Sequence, residues 1–222
     1  MDNMKLLLIL FINIFFQVIF KMNFEQLRIK IEDDQIYESG KVSRFFDILP
    51  NDIDLNEEFL YTHQPITDNV IYIYSTSSEP IGKLDNNEEN RTSFNVLQSP
   101  VIVVARKGYA GRLYVVEDRN IIIHEDAYAV KPKPEYINHI NLHWFVGHYS
   151  YEFQQHRTSP WGIGDFPRTL FNNMNVIIPA IEVQNQVVTL YQKRAKLLNK
   201  ISNIQGSINL QINDIISESL SF

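Results

Sequence analysis

Cysteine does not occur among the 222 residues, and its absence removes disulfide scaffolds, thiolate metal centres and a cysteine nucleophile together. Glycine and proline number only 8 and 9, too few for a collagen-like or low-complexity chain. Positive charge is also short, with 20 Lys and Arg against 26 Asp and Glu, so the composition is not that of a globally basic nucleic-acid binder. What remains, 45% hydrophobic and 12% aromatic residues, suits a packed core in one domain with an appendage or in two small domains. A thiol-free chain fits a cytoplasmic setting.

The acidity is unevenly spread. Residues 1–100 hold 16 acids against 8 Lys and Arg, residues 101–172 hold 7 against 8, and residues 173–222 hold 3 against 4. A local anion-binding surface is therefore open in the second half. The run LLLILFINIFFQVIF (6–20) is short for a membrane span, and no small-residue cleavage pattern follows it. It reads as an apolar N-terminal segment, 1–22, either anchoring or secretory, or, with a start at Met22, an upstream translation artefact or a buried extra segment.

Strands are expected where β-branched and aromatic residues cluster: Val70 to Tyr74, 101–106, 112–117, and a pair or bent strand over 120–132. Leu27, Ile29 and Ile31 alternate like an edge strand, LDNNEENRTSF (84–94) has loop composition, and TLFNNMNVIIP (169–179) ends in one more strand. Over 135–156, Ile137, Ile140, Trp144, Phe145 and Tyr149 mark one face of a helix.

After Pro179 the texture changes. Residues 180–222 contain no proline and one glycine, and positions 187, 190, 194, 197, 201, 204, 208, 211 and 215 step by 3 and 4. Val187, Leu190, Leu197, Ile201, Ile204, Ile208 and Ile215 fill seven of those nine places with apolar side chains. This is a coiled-coil seam on a long helix that wants a partner helix.

Enzyme signatures are missing. ARKGYAGR lacks phosphate-loop spacing and leads into a strand, and no Gly-x-Ser-x-Gly elbow occurs. His139 and His143 stand four apart without the glutamate of a zinc-protease motif, and the histidines are read as surface or capping groups rather than metal ligands. His124-Glu125-Asp126 lacks a third group for acid–base work, and Asp165 is expected to serve loop hydrogen bonding. Two features point elsewhere. Arg106, Lys107, Tyr109 and Arg112 crowd one glycine turn, which either keeps a hairpin soluble or lets Gly108 and Gly111 bring backbone close to a phosphate chain. The strand end STSSEPIG (75–82), next to Tyr72 and Tyr74, is either an ordinary turn or a set of short hydroxyls facing bases and sugars.

Taken in order, IYIYSTSSEPIG (71–82), RKGYAGRLYVVED (106–118), IIIHEDAYAVKPK (121–133), INLHWFVGHY (140–149) and IIPAIEVQNQVV (177–188) resemble one half of the DNA specificity (S) subunit of type I restriction–modification systems. The resemblance covers about residues 60–205. It departs at the helix junction, where Pro179 is single and Val183 separates Glu182 from Gln184. What it implies is an α+β target-recognition domain over 23–179, with a twisted, mostly antiparallel sheet and flanking helices, followed by a coiled-coil helix over 180–222. It also implies a non-catalytic reader of double-stranded DNA, without cofactor or metal. Arg106, Lys107 and Arg112 would contact phosphate, Tyr109 and Lys83 would belong to the same DNA-binding surface, and Tyr74, Ser75 and Ser77 would contact bases. Implied partners are methyltransferase (M) subunits, a restriction (R) subunit, and a second copy or another S half along the helix. Two other classes stand beside it: a membrane-tethered interaction protein with a coiled-coil tail, and a metal hydrolase using the histidines.

Overall fold

The structure, a computed structural model, describes residues 36–51, 55, 59, 65–117, 120–158 and 164–220, and for 36 and 212–220 the backbone alone. These residues belong to one compact unit, Asp34–Phe222. The apolar run 6–20 and the alternating Leu27, Ile29 and Ile31 lie outside the described residues.

The path begins with strand β1 (Ile36–Lys41), one helical turn α1 (Val42–Phe45) and strand β2 (Phe46–Ile48). Strands β3 (Val70–Tyr74) and β4 (Gly82–Asp85) precede helix α2 (Glu88–Ser93). Strands β5 (Leu97–Gln98), β6 (Val101–Ala105), β7 (Leu113–Val116), β8 (Asn120–Ile123) and β9 (Ala127–Pro132) follow. A 3-10 turn (Pro134–Tyr136), helix α3 (Leu142–Gln155), helix α4 (Arg168–Asn173), strand β10 (Asn175–Pro179) and the 40-residue helix α5 (Ile181–Leu220) complete the order.

The strands form three sheets. One is antiparallel throughout, in the order β2-β9-β6-β7. Every residue of its inner strand β6 is buried, which is why that strand is a continuous apolar run. The second, β4-β3-β8-β5, contains the parallel pair β3–β8. Because strand side chains alternate in direction, β3 serves two cores. Ile71 and Ile73 join Leu55, Leu84 and Ile122 on one side, while Tyr74 joins Val101, Val103, Tyr114, Val116, Ile121 and Ile123 on the other. That second cluster draws from both sheets and packs them together. The third sheet is the pair β1–β10.

Helix α3 is capped by Asn141, whose side chain accepts from Trp144 N at 3.1 Å. It buries Trp144, Phe145, Tyr149 and Phe153. Phe153 packs against the rings of Phe145, Phe166 and Phe171.

The fold class is α+β with a long C-terminal helix, as expected, but local readings needed correction. Residues 84–94 are not all loop: Asn87 caps α2 by accepting from Asn90 N at 2.8 Å. The helix over 135–156 begins only at Leu142, and Ile137 is exposed ahead of it. Among the described residues no helix is long and apolar enough to cross a membrane.

Candidate nucleic-acid interface

Antiparallel pairing of β6 with β7 places the loop 106–112 at the end of the β2-β9-β6-β7 sheet. Both of its glycines take left-handed backbone, Gly108 at φ 63° and Gly111 at φ 83°, a region where a Cβ is strained. Gly111 N donates to Ala105 O at 2.8 Å and Arg112 N to Tyr109 O at 2.9 Å, which closes the turn. Gly111 is buried, and a Cβ there would lie 2.7 Å from the backbone oxygen of Phe153. The close approach expected of this glycine is thus to helix α3 and not to an external phosphate. Gly108 keeps the outward position, exposed, with Thr76 Oγ1 at 4.0 Å from the place of a Cβ.

That last contact brings the two sequence features together. The hydroxyl of Tyr114, on β7, donates to Ser75 O at 2.6 Å. Burial pushes the Tyr114 hydroxyl well above the ordinary phenol range, so it remains a donor. Ser75 and Tyr74 are buried, which corrects their expected place as outward base readers: Tyr74 is core, and Ser75 supplies its carbonyl to a tyrosine. Ser77 is half-buried and its hydroxyl donates to Glu79 O at 2.9 Å, the bond of a local turn. Lys83 is exposed and holds its ammonium 5.2 Å from the Tyr72 ring centre.

The cations divide into two kinds. Arg106 Nε meets Asp165 Oδ1 at 3.3 Å, and Lys107 Nζ meets Asp126 Oδ1 at 2.8 Å. The hydrogen bond that Lys107 donates to Asp126, more than the charge of Asp126, raises the Lys107 pKa. Arg112 instead stacks on Tyr109, its guanidinium carbon 5.5 Å from the ring centre. Tyr109 is 61% exposed at the tip of the turn. Asp165 also closes its own loop, its N–H donating to Thr158 Oγ1 at 3.1 Å, in line with the expected loop role.

No motif or pattern in the sequence points to Arg168 or Asn51. Arg168 hydrogen-bonds Asn51 Oδ1 and lies over the Tyr128 ring at 5.9 Å. Both residues line a cleft of about 420 Å³ shared with Arg106, Glu125 and Tyr128. Among the described residues no cluster of three or more ligating side chains occurs. His143 Nε2 pairs with Glu117 Oε1 at 3.0 Å, and His139 stacks on Tyr37 at 4.5 Å.

The buried Gln184 side chain ties helix α5 to the end of β10 and to the residues ahead of α3. The Gln184 amide nitrogen donates to His139 O at 2.7 Å and Pro179 O at 2.8 Å, and its oxygen accepts from Asn141 N at 2.8 Å. A Cβ on Gly147 of α3 would meet the Tyr191 ring at 2.9 Å, so the two helices touch there. Of the expected partner-helix residues, Val187 is buried in the core, which removes it from a seam for a partner. Leu190, Leu197 and Ile204 are exposed, and Ile201 and Ile208 are half-buried. The side chain of Ile215 lies outside the described residues.

An S subunit of a type I restriction-modification system from M. genitalium matches with a TM-score of 0.54 at 11% identity, over 77% of this chain and 43% of that one. A structure on complex assembly and conformational transition of the type I R-M system matches with a TM-score of 0.60 at 10% identity, over 80% and 43%. The fold is that of type I restriction–modification S subunits. A third structure with this S-subunit fold, the HsdS subunit from Thermoanaerobacter tengcongensis, gives 0.52 at 10% identity, over 77% and 40%. The chain spans 40 to 43% of the length of these S-subunit structures. No protein-family model and no curated protein matches the sequence.

Proposed function

We propose that the chain is a DNA-recognition module that reads one half of a divided duplex site and brings a methyltransferase to it, without chemistry of its own. The observation that carries this is the S-subunit fold with the 106–112 turn set beside the Ser/Thr strand end. A turn that exposes Tyr109 with Arg112 stacked upon it offers a nucleic acid both an aromatic face and a cation. Where Arg106 and Lys107 engage phosphates, the phosphates take over from Asp165 and Asp126. Surface ion pairs are worth only about 0–1 kcal/mol, so that exchange is inexpensive.

Helix α5 acts as the spacer. Its 40 residues extend about 60 Å at 1.5 Å each, and Leu190, Leu197 and Ile204 repeat at heptad spacing on its exposed side. A second copy, or another S half, pairs along that stripe, and methyltransferase subunits and a restriction subunit assemble on the pair. Two-fold pairing of identical chains calls for a symmetric, interrupted recognition sequence.

The test is a gel-shift titration of duplex DNA with the full chain, alone and with a type I methyltransferase subunit encoded beside it. Sequence-dependent retention that strengthens with the methyltransferase is expected. Failure to retain any duplex under both conditions would overturn the reading.

A further inference from the structure

Asp126 and Asp165 already occupy two of the cations that the sequence singles out. A phosphate arriving at Lys107 or Arg106 must displace a carboxylate. Arg168 differs. Among the described residues its partners are neutral: the amide oxygen of Asn51 and the face of Tyr128. It is exposed. Tyr128 is itself fixed, buried in β9 with its hydroxyl donating to Phe166 O at 3.3 Å, so the guanidinium rests on a rigid platform.

Arg168 also shares its cleft with the first residue of the hairpin loop. Arg106 lines the same cleft, and the loop that begins at Arg106 ends at Arg112, whose carbonyl accepts from Ala105 N at 2.9 Å. The cleft thus joins Arg168 to Arg106, and the loop backbone joins Arg106 to Arg112.

We propose that Arg168 is a phosphate ligand for the DNA backbone, held in position by Tyr128 and Asn51, and that it extends the hairpin's cationic track to the cleft. This rests on the DNA-reading function proposed above. An arginine fork with neutral partners keeps its charge and its free N–H donors for a phosphodiester. Glu125 lines the same cleft. Its carboxylate disfavours the clustered charge of a nucleotide's di- or triphosphate tail and is compatible with the single charge per nucleotide of a passing duplex.

The experiment is a salt series of fluorescence-anisotropy titrations using the full chain with its methyltransferase subunit on several unrelated duplexes. Thermal melting serves to check folding. Arg168→Ala should weaken binding by the same factor on every duplex and lower the slope of log K against log salt by about 0.9. Arg168→Lys should keep the slope, and Glu125→Gln should tighten binding. Arg168→Gln, which retains an aliphatic stem and a polar tip, should reproduce the alanine result if alanine disturbs the fold. An unchanged slope in Arg168→Gln, alongside a lowered slope in Arg112→Ala, would defeat this inference and leave the DNA-reading function standing. A change in sequence preference at constant slope would make Arg168 a base contact instead. Pyrophosphate that displaces DNA from the wild type but not from Arg168→Gln would make the cleft a small-ligand site, and either result overturns the proposal. Absence of wild-type binding would defeat the parent reading itself.

Discussion

Gly108 and Gly111 stand in one turn, share positive φ and are held by different constraints. At Gly111 a methyl group would overlap the α3 backbone at 2.7 to 2.9 Å, where nothing flexible can give way. Gly111→Ala should combine left-handed strain with overpacking, together about 2–4 kcal/mol. A fall in Tm of roughly 5–15 °C is expected. Gly108 meets only Thr76 Oγ1 at 4.0 Å, so Gly108→Ala should cost about 1–2 kcal/mol from φ alone. Equal melting temperatures for the two variants would mean that the turn is not seated on α3. The same scale shows where residue-level reading stops. Tyr72 and Tyr74 are alike in strand propensity and lie on one side of β3, yet Tyr74 is buried between sheets and Tyr72 is half-buried beneath Lys83. Which end of a strand is covered depends on the partner sheet, and no pattern within YIY contains that information.

At the scale of elements, α5 depends on Gln184, a fully buried amide at the junction the sequence reading noted for its split Glu-Gln pair. Replacing it by leucine strands Asn141 N, His139 O and Pro179 O together, and about 2–3 kcal/mol should be lost. The denaturant midpoint measures it. Gln184→Glu should be worse at neutral pH than at acid pH. An ionised carboxylate accepts from Asn141 N but cannot donate to the two carbonyls, and burial raises its folded pKa above the unfolded value. The deficit is therefore smallest below the unfolded pKa, grows as pH rises from there to the raised folded pKa, and is constant above it. A pH-independent deficit would show that the amide donors are not what holds the junction. Elements with apolar periodicity were legible beforehand, which is why α5 and β6 to β9 were located to within a residue or two. Helix α2 was not, because none of its residues is buried and no hydrophobic pattern could report it. Its signal was Asn87 followed by Glu88 and Glu89, a cap with acids in the first turn. The start of α3 was placed too early for a related reason: Ile137 fits the helical spacing but precedes the Asn141 cap.

At the scale of the whole molecule, the proposed function divides recognition and spacing between a turn-bearing sheet unit and a helix with an exposed apolar stripe. Ile201→Asp with Ile204→Asp should abolish pairing, since charges placed in an apolar seam are costly to bury. Light scattering should then give a monomer mass, and a variant that remains paired would remove the stripe from the interface. The sharpest test concerns the reader itself: the slope of log K against log salt for duplex binding, between about 50 and 200 mM salt, for wild type and for Arg106→Ala, Lys107→Ala and Arg112→Ala combined. A slope lower by roughly two to three units in the triple variant, with its melting temperature preserved, is the expected result. A slope identical to wild type would contradict the placement of DNA on the 106–112 turn.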